Sequence, residues 1–327
     1  MKTIAITGGT GFIGSHTVEA LLREGYRVRC LIRPGRSTIG WLKGLPVETL
    51  PVDLLNRTDV RSALAQCDGV VHIAGVTRAK RRKDFFTGNV EPTRNILLAC
   101  KELGSVKQFC YMSSLTATGP AEAGHPVNED SPCRPLTAYG ASKLEAEKVC
   151  REFGDMFPVV ILRPPAVYGP RDRDILHMFR WIKFGIMPVM GPSTKTLSLI
   201  YVTELARAIT VVLKSDSSGG RVYFVGDKTP YRYSDLVSIT ASLLGKSTFN
   251  LPIPRPILYG IAGVTQAISW LLPQPSVVSI DKVRDLVTPY WTCDPGKIER
   301  ELGFRTEIGA HEGLQRTLDW YKAQGWL

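Results

Sequence analysis

The sequence contains no Cys-x-x-Cys pair, no internal repeat, no low-complexity tract and no apolar run of the roughly twenty residues needed to span a bilayer. Each absence narrows the reading. The 7 cysteines, at positions 30, 67, 100, 110, 133, 150 and 293, are odd in number and lie mostly in apolar runs, which points to reduced core thiols in a reducing compartment. Met1 and Lys2 lead straight into a strand pattern and leave no room for a signal or transit peptide, so a cytoplasmic location is expected. With 44% hydrophobic residues, the chain can bury a substantial core rather than stay disordered. A formal charge of +11 admits an anionic ligand, a membrane surface or nucleic acid. Its densest cluster, Arg78 to Lys83, lacks interleaved aromatics and any nucleic-acid motif. It reads as a solvated loop, and a small molecule rather than nucleic acid is the expected partner.

What is present is organised around the first fourteen residues. Lys2 to Thr7 alternates like a short buried strand, Gly8-Gly9-Thr10-Gly11-Phe12-Ile13-Gly14 follows, and Val18, Leu21 and Leu22 continue a helical spacing until Gly25. Glycines at such a junction let the backbone approach a pyrophosphate, whose charge is met by free N–H groups and the positive helix end. Gly8, Gly11, Phe12, Ile13 and Gly14 are therefore candidate dinucleotide-binding residues, the alternative being a tight turn with no ligand.

The second strand begins at Arg27, and after it no acid occurs before Glu48, although an NAD site normally places one there against the adenosine ribose. Arg33 and Arg36 stand there instead and can pair with a 2′-phosphate, so NADP(H) is favoured and NAD(H) is the alternative. A third strand over 46–52 ends at Asp53 and Leu54, placed to meet the adenine edge. A fourth over 69–75 contains His72, read as a hydrogen-bonded structural histidine, and ends in Ala74 and Gly75, small enough to abut the cofactor. A fifth over 106–112 ends in Ser113 and Ser114. With helices at 58–66 and 85–103 between them, these strands imply a parallel sheet with ligands at its carboxyl ends. After a Gly- and Pro-rich loop, a helix beginning near Ala138 carries Tyr139 and Lys143 on one face. An ammonium close to a phenol favours its ionised form and suits it to acid/base work.

Thr7 to Gly14, His72 to Gly75, Ser113-Ser114, Tyr139-Gly-Ala-Ser-Lys143 and Leu162 to Pro170 together resemble the extended short-chain dehydrogenase/reductase family, also called the NAD-dependent epimerase/dehydratase family. The resemblance continues through 200–206, 222–226 and 302–320 and so covers nearly the whole chain. It implies an α/β fold: a Rossmann-type doubly wound parallel sheet with helices on both faces over 1–170, and a smaller, discontinuous substrate domain mainly over 171–327. Segments near 197–225, such as Leu197–Tyr201 and Arg221–Val225, would return as strands to the main sheet. It also implies that Ser114 orients the substrate oxygen and Tyr139 is the acid/base. Lys143 would bind the nicotinamide ribose and lower the tyrosine's pKa, with Pro164, Ala166 and Val167 bordering the nicotinamide. No metal is called for, and a homodimer is the family's common state.

Two departures bear on substrate. Leu197 stands where sugar-nucleotide epimerases of this family carry an arginine for the substrate's pyrophosphate. Residues 257–272 are strongly apolar, and Ile257, Leu258, Ile261, Val264 and Ile268 are expected to wall an apolar site; a core-packed or lid helix and a peripheral membrane contact are the alternatives. The apolar segment and the Ile32-Arg33 pair after the second strand resemble the 3β-hydroxysteroid dehydrogenase and dihydroflavonol reductase branch. The expected activity is interconversion of a secondary alcohol and a ketone on a steroid-, terpenoid- or flavonoid-like molecule. A sugar-nucleotide epimerase or dehydratase with tightly bound NAD(P) is the alternative. A non-catalytic NADP-sensing protein is more distant, because Ser114, Tyr139 and Lys143 are all present.

Overall fold

Short β-branched runs and amphipathic helices alternate through the first half of the chain: β1 (Thr3–Thr7), α1 (Phe12–Arg23), β2 (Arg27–Ile32), β3 (Glu48–Pro51), α2 (Arg57–Leu64), β4 (Gly69–His72), α3 (Arg82–Leu103), β5 (Gln108–Met112), α4 (Ala138–Glu152) and β6 (Val159–Arg163). The second half is broken into shorter pieces: β7 (Ala166–Tyr168), α5 (Asp174–Lys183), β8 (Ile186–Met190), β9 (Thr196–Leu197), β10 (Leu199–Tyr201), α6 (Val202–Lys214), β11 (Arg221–Phe224), β12 (Tyr231–Arg232), α7 (Tyr233–Leu244), β13 (Phe249–Ile253), α8 (Arg255–Leu271), α9 (Ile280–Val287), β14 (Tyr290–Trp291), α10 (Gly296–Leu302) and α11 (Ala310–Ala323). The computed structural model describes residues 1–36, 38–215, 220–271 and 279–327; Leu272, the end of the apolar segment, lies outside them.

Seven strands form one parallel sheet in the order β11-β6-β5-β4-β1-β2-β3. The order reverses beside β1, so the glycine turn that follows β1 opens at the crevice where such sheets bind ligands. Strands covered on both faces need apolar residues throughout, and the run Val159-Val-Ile-Leu162 is buried at every position. Side chains alternate between two cores: Ile4, Ile6, Val71, Cys110 and Leu162 on one face, and Ala5, Val70, Phe109, Tyr111 and Ile161 on the other. All seven cysteines are unpaired thiols, buried apart from Cys133.

The expected return of two segments to this sheet is half correct. Arg221–Phe224 pairs with β6 as its outer strand. The stretch Leu197–Tyr201 does not join it. Leu199–Tyr201 pairs instead with Ala166–Tyr168, and Thr196–Leu197 pairs with β12 and β14 in a separate three-stranded sheet. Pro164 and Pro165 supply no N–H donors and end β6, so the chain beyond them leaves the main ladder and forms the partner for β10.

Beneath the carboxyl ends of β5 and β6 lies a buried ion pair. Arg163, at the end of β6, donates from Nε to Glu147 Oε1 at 2.8 Å and from Nη2 to Oε2 at 2.6 Å, while Ser113 Oγ donates to Oε1 at 2.5 Å. Both charged side chains are almost wholly removed from water; Glu147 also accepts from Arg151 Nη2 at 3.0 Å, whereas Arg163 has no other carboxylate among the described residues to compensate it. Glu147→Ala should therefore lower unfolding stability by about 3–5 kcal/mol, measured by chemical denaturation. A loss below about 1 kcal/mol would show that the surrounding polar groups, rather than the pair, satisfy Arg163.

Candidate active site

Each strand end at the sheet's carboxyl edge contributes a group, beginning with the turn after β1. Gly8 adopts φ +74°, and a Cβ there would meet Ala74 N at 2.8 Å; a Cβ on Gly14 would lie 2.1 Å from Gly8 O. Only glycine fits a chain folded this tightly on itself. Gly11 N donates to Gly8 O at 2.9 Å, and α1 starts without a side-chain cap or an acid in its first turn. The N–H groups of Phe12, Ile13 and Gly14 are thus the uncapped first donors of α1, above a cradle that a Cβ would fill, which fits a bound pyrophosphate.

Neighbouring strand ends are tied to this turn. Thr7 Oγ1 accepts from Ala74 N at 3.1 Å and lies 2.7 Å from His72 Nδ1, whose other ring nitrogen is 3.0 Å from Thr93 Oγ1. Burial pulls the imidazole down to about 3, with the Lys143 charge as a lesser cause, so His72 is a neutral strut between strand and helix. Asn89 continues the network, accepting from Val76 N at 2.6 Å and donating to Ser142 Oγ at 2.8 Å. Asp53 is exposed and caps its own turn by accepting from Leu55 N at 3.0 Å, and Leu54 lies beside it half-buried. Arg33 and Arg36 stand exposed beyond β2, Arg36 donating from Nε to Thr38 O at 2.9 Å. Across the crevice Pro164 O accepts from Leu115 N at 2.9 Å; Ala166 is exposed and Val167 packs on the core.

Ser113 and Ser114 diverge. Ser113 is buried against Glu147, whereas Ser114 Oγ accepts from Thr116 N at 3.2 Å and from Thr116 Oγ1 at 2.9 Å, and lies close enough to Tyr139 to favour its phenolate. Gly140 makes that last contact possible: a Cβ there would be 2.3 Å from Thr116 O, so any side chain would push α4 off the turn that carries Ser114. Thr137 caps α4 at Gly140 N, and Asp281 Oδ2 accepts from Ala138 N at 2.9 Å. Tyr139 is thus fixed from both sides.

Lys143 Nζ donates to Met112 O at 2.7 Å, lies 4.8 Å from the Tyr111 ring and stands 3.3 Å from where a Gly75 Cβ would be. Burial lowers its pKa to about 8. Burial raises the Tyr139 phenol to about 12, opposed by Ser114 and reinforced by the Asp285 charge. The Lys143 ammonium is taken up by the end of β5, and the charge acting on the phenol is that of Asp285.

Tyr139 opens onto a cavity of about 580 Å³ bounded by the 77–82 loop, the start of α4, α8 and α9. The apolar wall expected from α8 is not there. Leu258 packs inward on Val283, and Ile257, Ile261, Val264 and Ile268 are exposed; α8 presents Gln266 and Ser269 to the cavity. A helix that is apolar on most of its circumference does not reveal from sequence which side meets the protein. Arg78, Arg81, Arg82 and Lys282 line the cavity together with Asp174, Asp281 and Asp285, beside Phe85, Ala138 and Ile280, so its lining is mixed, charged groups of both signs alternating with apolar surface. Leu197 sits away from it, in a core with Leu115, Phe224 and Trp291. A second groove of about 490 Å³ lies at the amino ends of the strands, lined by Thr3, Arg27 and Glu48, and touches none of these groups.

The residue that sequence reasoning overlooked is Asp285. Its Oδ1 is buried without a hydrogen-bond partner, and burial raises its carboxyl to about 6. Its spacing of four from Asp281, which puts both carboxylates on one face of α9, was the available signal.

The model of the NAD dependent epimerase/dehydratase family matches residues 4–226. The chain is 28% identical to a ceramide reductase of Caulobacter vibrioides, over 99% of this chain and 96% of that one. It is 29% identical to human 3 beta-hydroxysteroid dehydrogenase type 7, over 97% and 95% of the two chains. The solved structure of a UDP-glucuronic acid 4-epimerase from Bacillus cereus, in complex with UDP-glucuronic acid and NAD, is 26% identical and superposes with a TM-score of 0.77 over 98% of this chain and 99% of that one.

The geometry fixes the sign of one titration. Above its own pKa of about 6 Asp285 is an anion, and an anion facing Tyr139 keeps the phenol protonated. Asp285→Asn should lower the Tyr139 pKa from about 12, followed by NMR of tyrosine labelled at ¹³Cζ and assigned with Tyr139→Phe. An unmoved resonance would mean that Asp285 does not act on the phenol.

Proposed function

From the premise that the chain belongs to the NAD dependent epimerase/dehydratase family, we propose that it is an NAD(P)-dependent oxidoreductase interconverting a ketone and a secondary alcohol. The observation that carries the proposal is Tyr139 on the wall of a cavity, with Ser114 acting on its phenol, at the same sheet edge as the glycine cradle and the Lys143 ammonium. A bound nicotinamide would supply the hydride-transfer chemistry. Ser114 holds the substrate oxygen, and Tyr139 moves a proton to or from it. A phenol raised by burial to about 12 is protonated at neutral pH, so the resting site holds the proton that ketone reduction consumes. The position of Lys143 beside Gly75, with its ammonium on Met112 O, supports a role in holding the nicotinamide ribose.

For the substrate, a cavity of mixed lining replaces the wholly apolar slot expected from residues 257–272. A lipid-like molecule whose ketone lies in a hydrogen-bonding head group suits Gln266, Ser269 and Asp285, and the ceramide reductase and steroid dehydrogenase relatives support a lipid class. A sugar-nucleotide epimerase is the second reading. The cations Arg78, Arg81, Arg82 and Lys282 on the cavity wall favour it, as does the UDP-glucuronic acid 4-epimerase among the similar structures. Against it, Arg78 is already paired with Asp174 at 2.9 Å, and Leu197 is a core residue.

Tyr139→Phe should reduce turnover of a long-chain ketone by a factor of about a hundred or more while leaving nucleotide affinity nearly unchanged, as read from steady-state kinetics and cofactor titration. Comparable turnover would remove the acid/base assignment.

NADP(H) is the proposed nucleotide, on the strength of Arg33 and Arg36 at the end of β2. Arg33→Ala should weaken NADP by the roughly 1.5–3 kcal/mol of one charge-assisted hydrogen bond and leave NAD little affected, measured by calorimetric titration. Equal losses for both nucleotides, or tighter NAD binding by the unaltered chain, would reduce Arg33 to a loop residue.

A further inference from the structure

We propose that the outward face of α8, with the strand pair that leads into it, docks on the surface of an anionic lipid bilayer. The proposal stands on α8 and its surroundings, independently of the reaction assigned above. Leu258 and Ala262 fix the helix by packing against Val283 of α9, and the opposite stripe is left uncovered. Ile257, Ile261, Val264 and Ile268, at helical spacing, expose 52%, 46%, 60% and 50% of their surface. Most of the exposed large hydrophobic side chains among the described residues fall within 181–186 and 249–270. These segments adjoin, because β8 and β13 pair in register from Phe249 beside Ile186, and Ile253 and Met190 pack on the core under α8.

Charge selects the partner. Neither 175–203 nor 236–280 contains a single Asp or Glu, whereas Arg180, Lys183, Lys246 and Arg255 in them are exposed. An apolar stripe beside cations on acid-free stretches of chain, with Asp281 and Asp285 of α9 turned to the cavity, matches a bilayer carrying anionic head groups. Two copies of the face would bring like charges together, which disfavours self-association through it. Length decides the mode of contact. The 17 residues of α8 extend about 26 Å, short of the roughly 30 Å hydrocarbon layer, and no described helix is long and apolar enough to cross a membrane. The helix would therefore lie in the interface plane, with Gln266 and Ser269 turned away from lipid toward the cavity.

Flotation of the full chain with phosphatidylcholine vesicles, with and without phosphatidylglycerol, tests this. The unaltered chain should float with phosphatidylglycerol vesicles and lose part of that binding at high salt. An Ile261→Glu, Val264→Glu double variant should bind at least about tenfold less. Both positions are exposed, so its unfolding midpoint and nucleotide affinity should match those of the parent. Three results would overturn the proposal: no flotation with anionic vesicles, equal flotation of the variant, or light scattering showing a dimer that the double variant dissociates.

Discussion

Glu147 reaches from the middle of α4 to the ends of two strands, accepting from Ser113 Oγ at the end of β5 and from Arg163 Nε and Nη2 at the end of β6. Tyr139, Lys143 and Glu147 follow one another at intervals of four, so they occupy one stripe of the helix facing the sheet edge. Fixing the third member fixes the register of the first two. Lys143 then meets Met112 O, and Tyr139 meets Ser114, one residue beyond the serine that Glu147 holds. Desolvating a carboxylate is costly, and the charge-assisted bonds from Arg163 and Ser113 offset that cost only because their geometry is tight. Gly140 completes the arrangement by letting α4 touch the Ser114 turn.

How far the sequence can be read follows from the range of each interaction. The glycine turn, β1 and α1 are local, and their pattern needs no partner to be recognised. Tyr139 and Lys143 share a helix, so their common face was legible, but where the ammonium goes depends on Met112, some thirty residues earlier. Glu147 with Arg163, and Asp285 with Tyr139, join separate elements, and no periodicity announces such pairs. The α8 segment failed for a different reason. Its apolar residues fill more than one stripe, so pattern alone could not say that Leu258 faces inward while Ile261 and Val264 face out. The stretch near Leu197 was misplaced because strand propensity does not specify a partner, and the prolines after β6 redirected it.

The electrostatics of the site oppose one another in a consistent direction. Burial raises Tyr139 and Asp285 and lowers Lys143, and Ser114 alone among the neighbours acting on the phenol favours its ionised form. At neutral pH the phenol therefore carries its proton, while Asp285 carries a charge that discourages its loss. The cavity joins charged groups of both signs to a comparable apolar lining, which suits the proposed lipid with a hydrogen-bonding head group.

The most direct measurement follows the hydrogen itself. With NADPH deuterated at nicotinamide C4 and a long-chain ketone bearing a polar head group, the account predicts deuterium on the new carbinol carbon and one reduced nucleotide oxidised for every alcohol formed. Epimerisation of a sugar nucleotide with no net change in nucleotide redox state, and no labelled alcohol from any ketone, would contradict it.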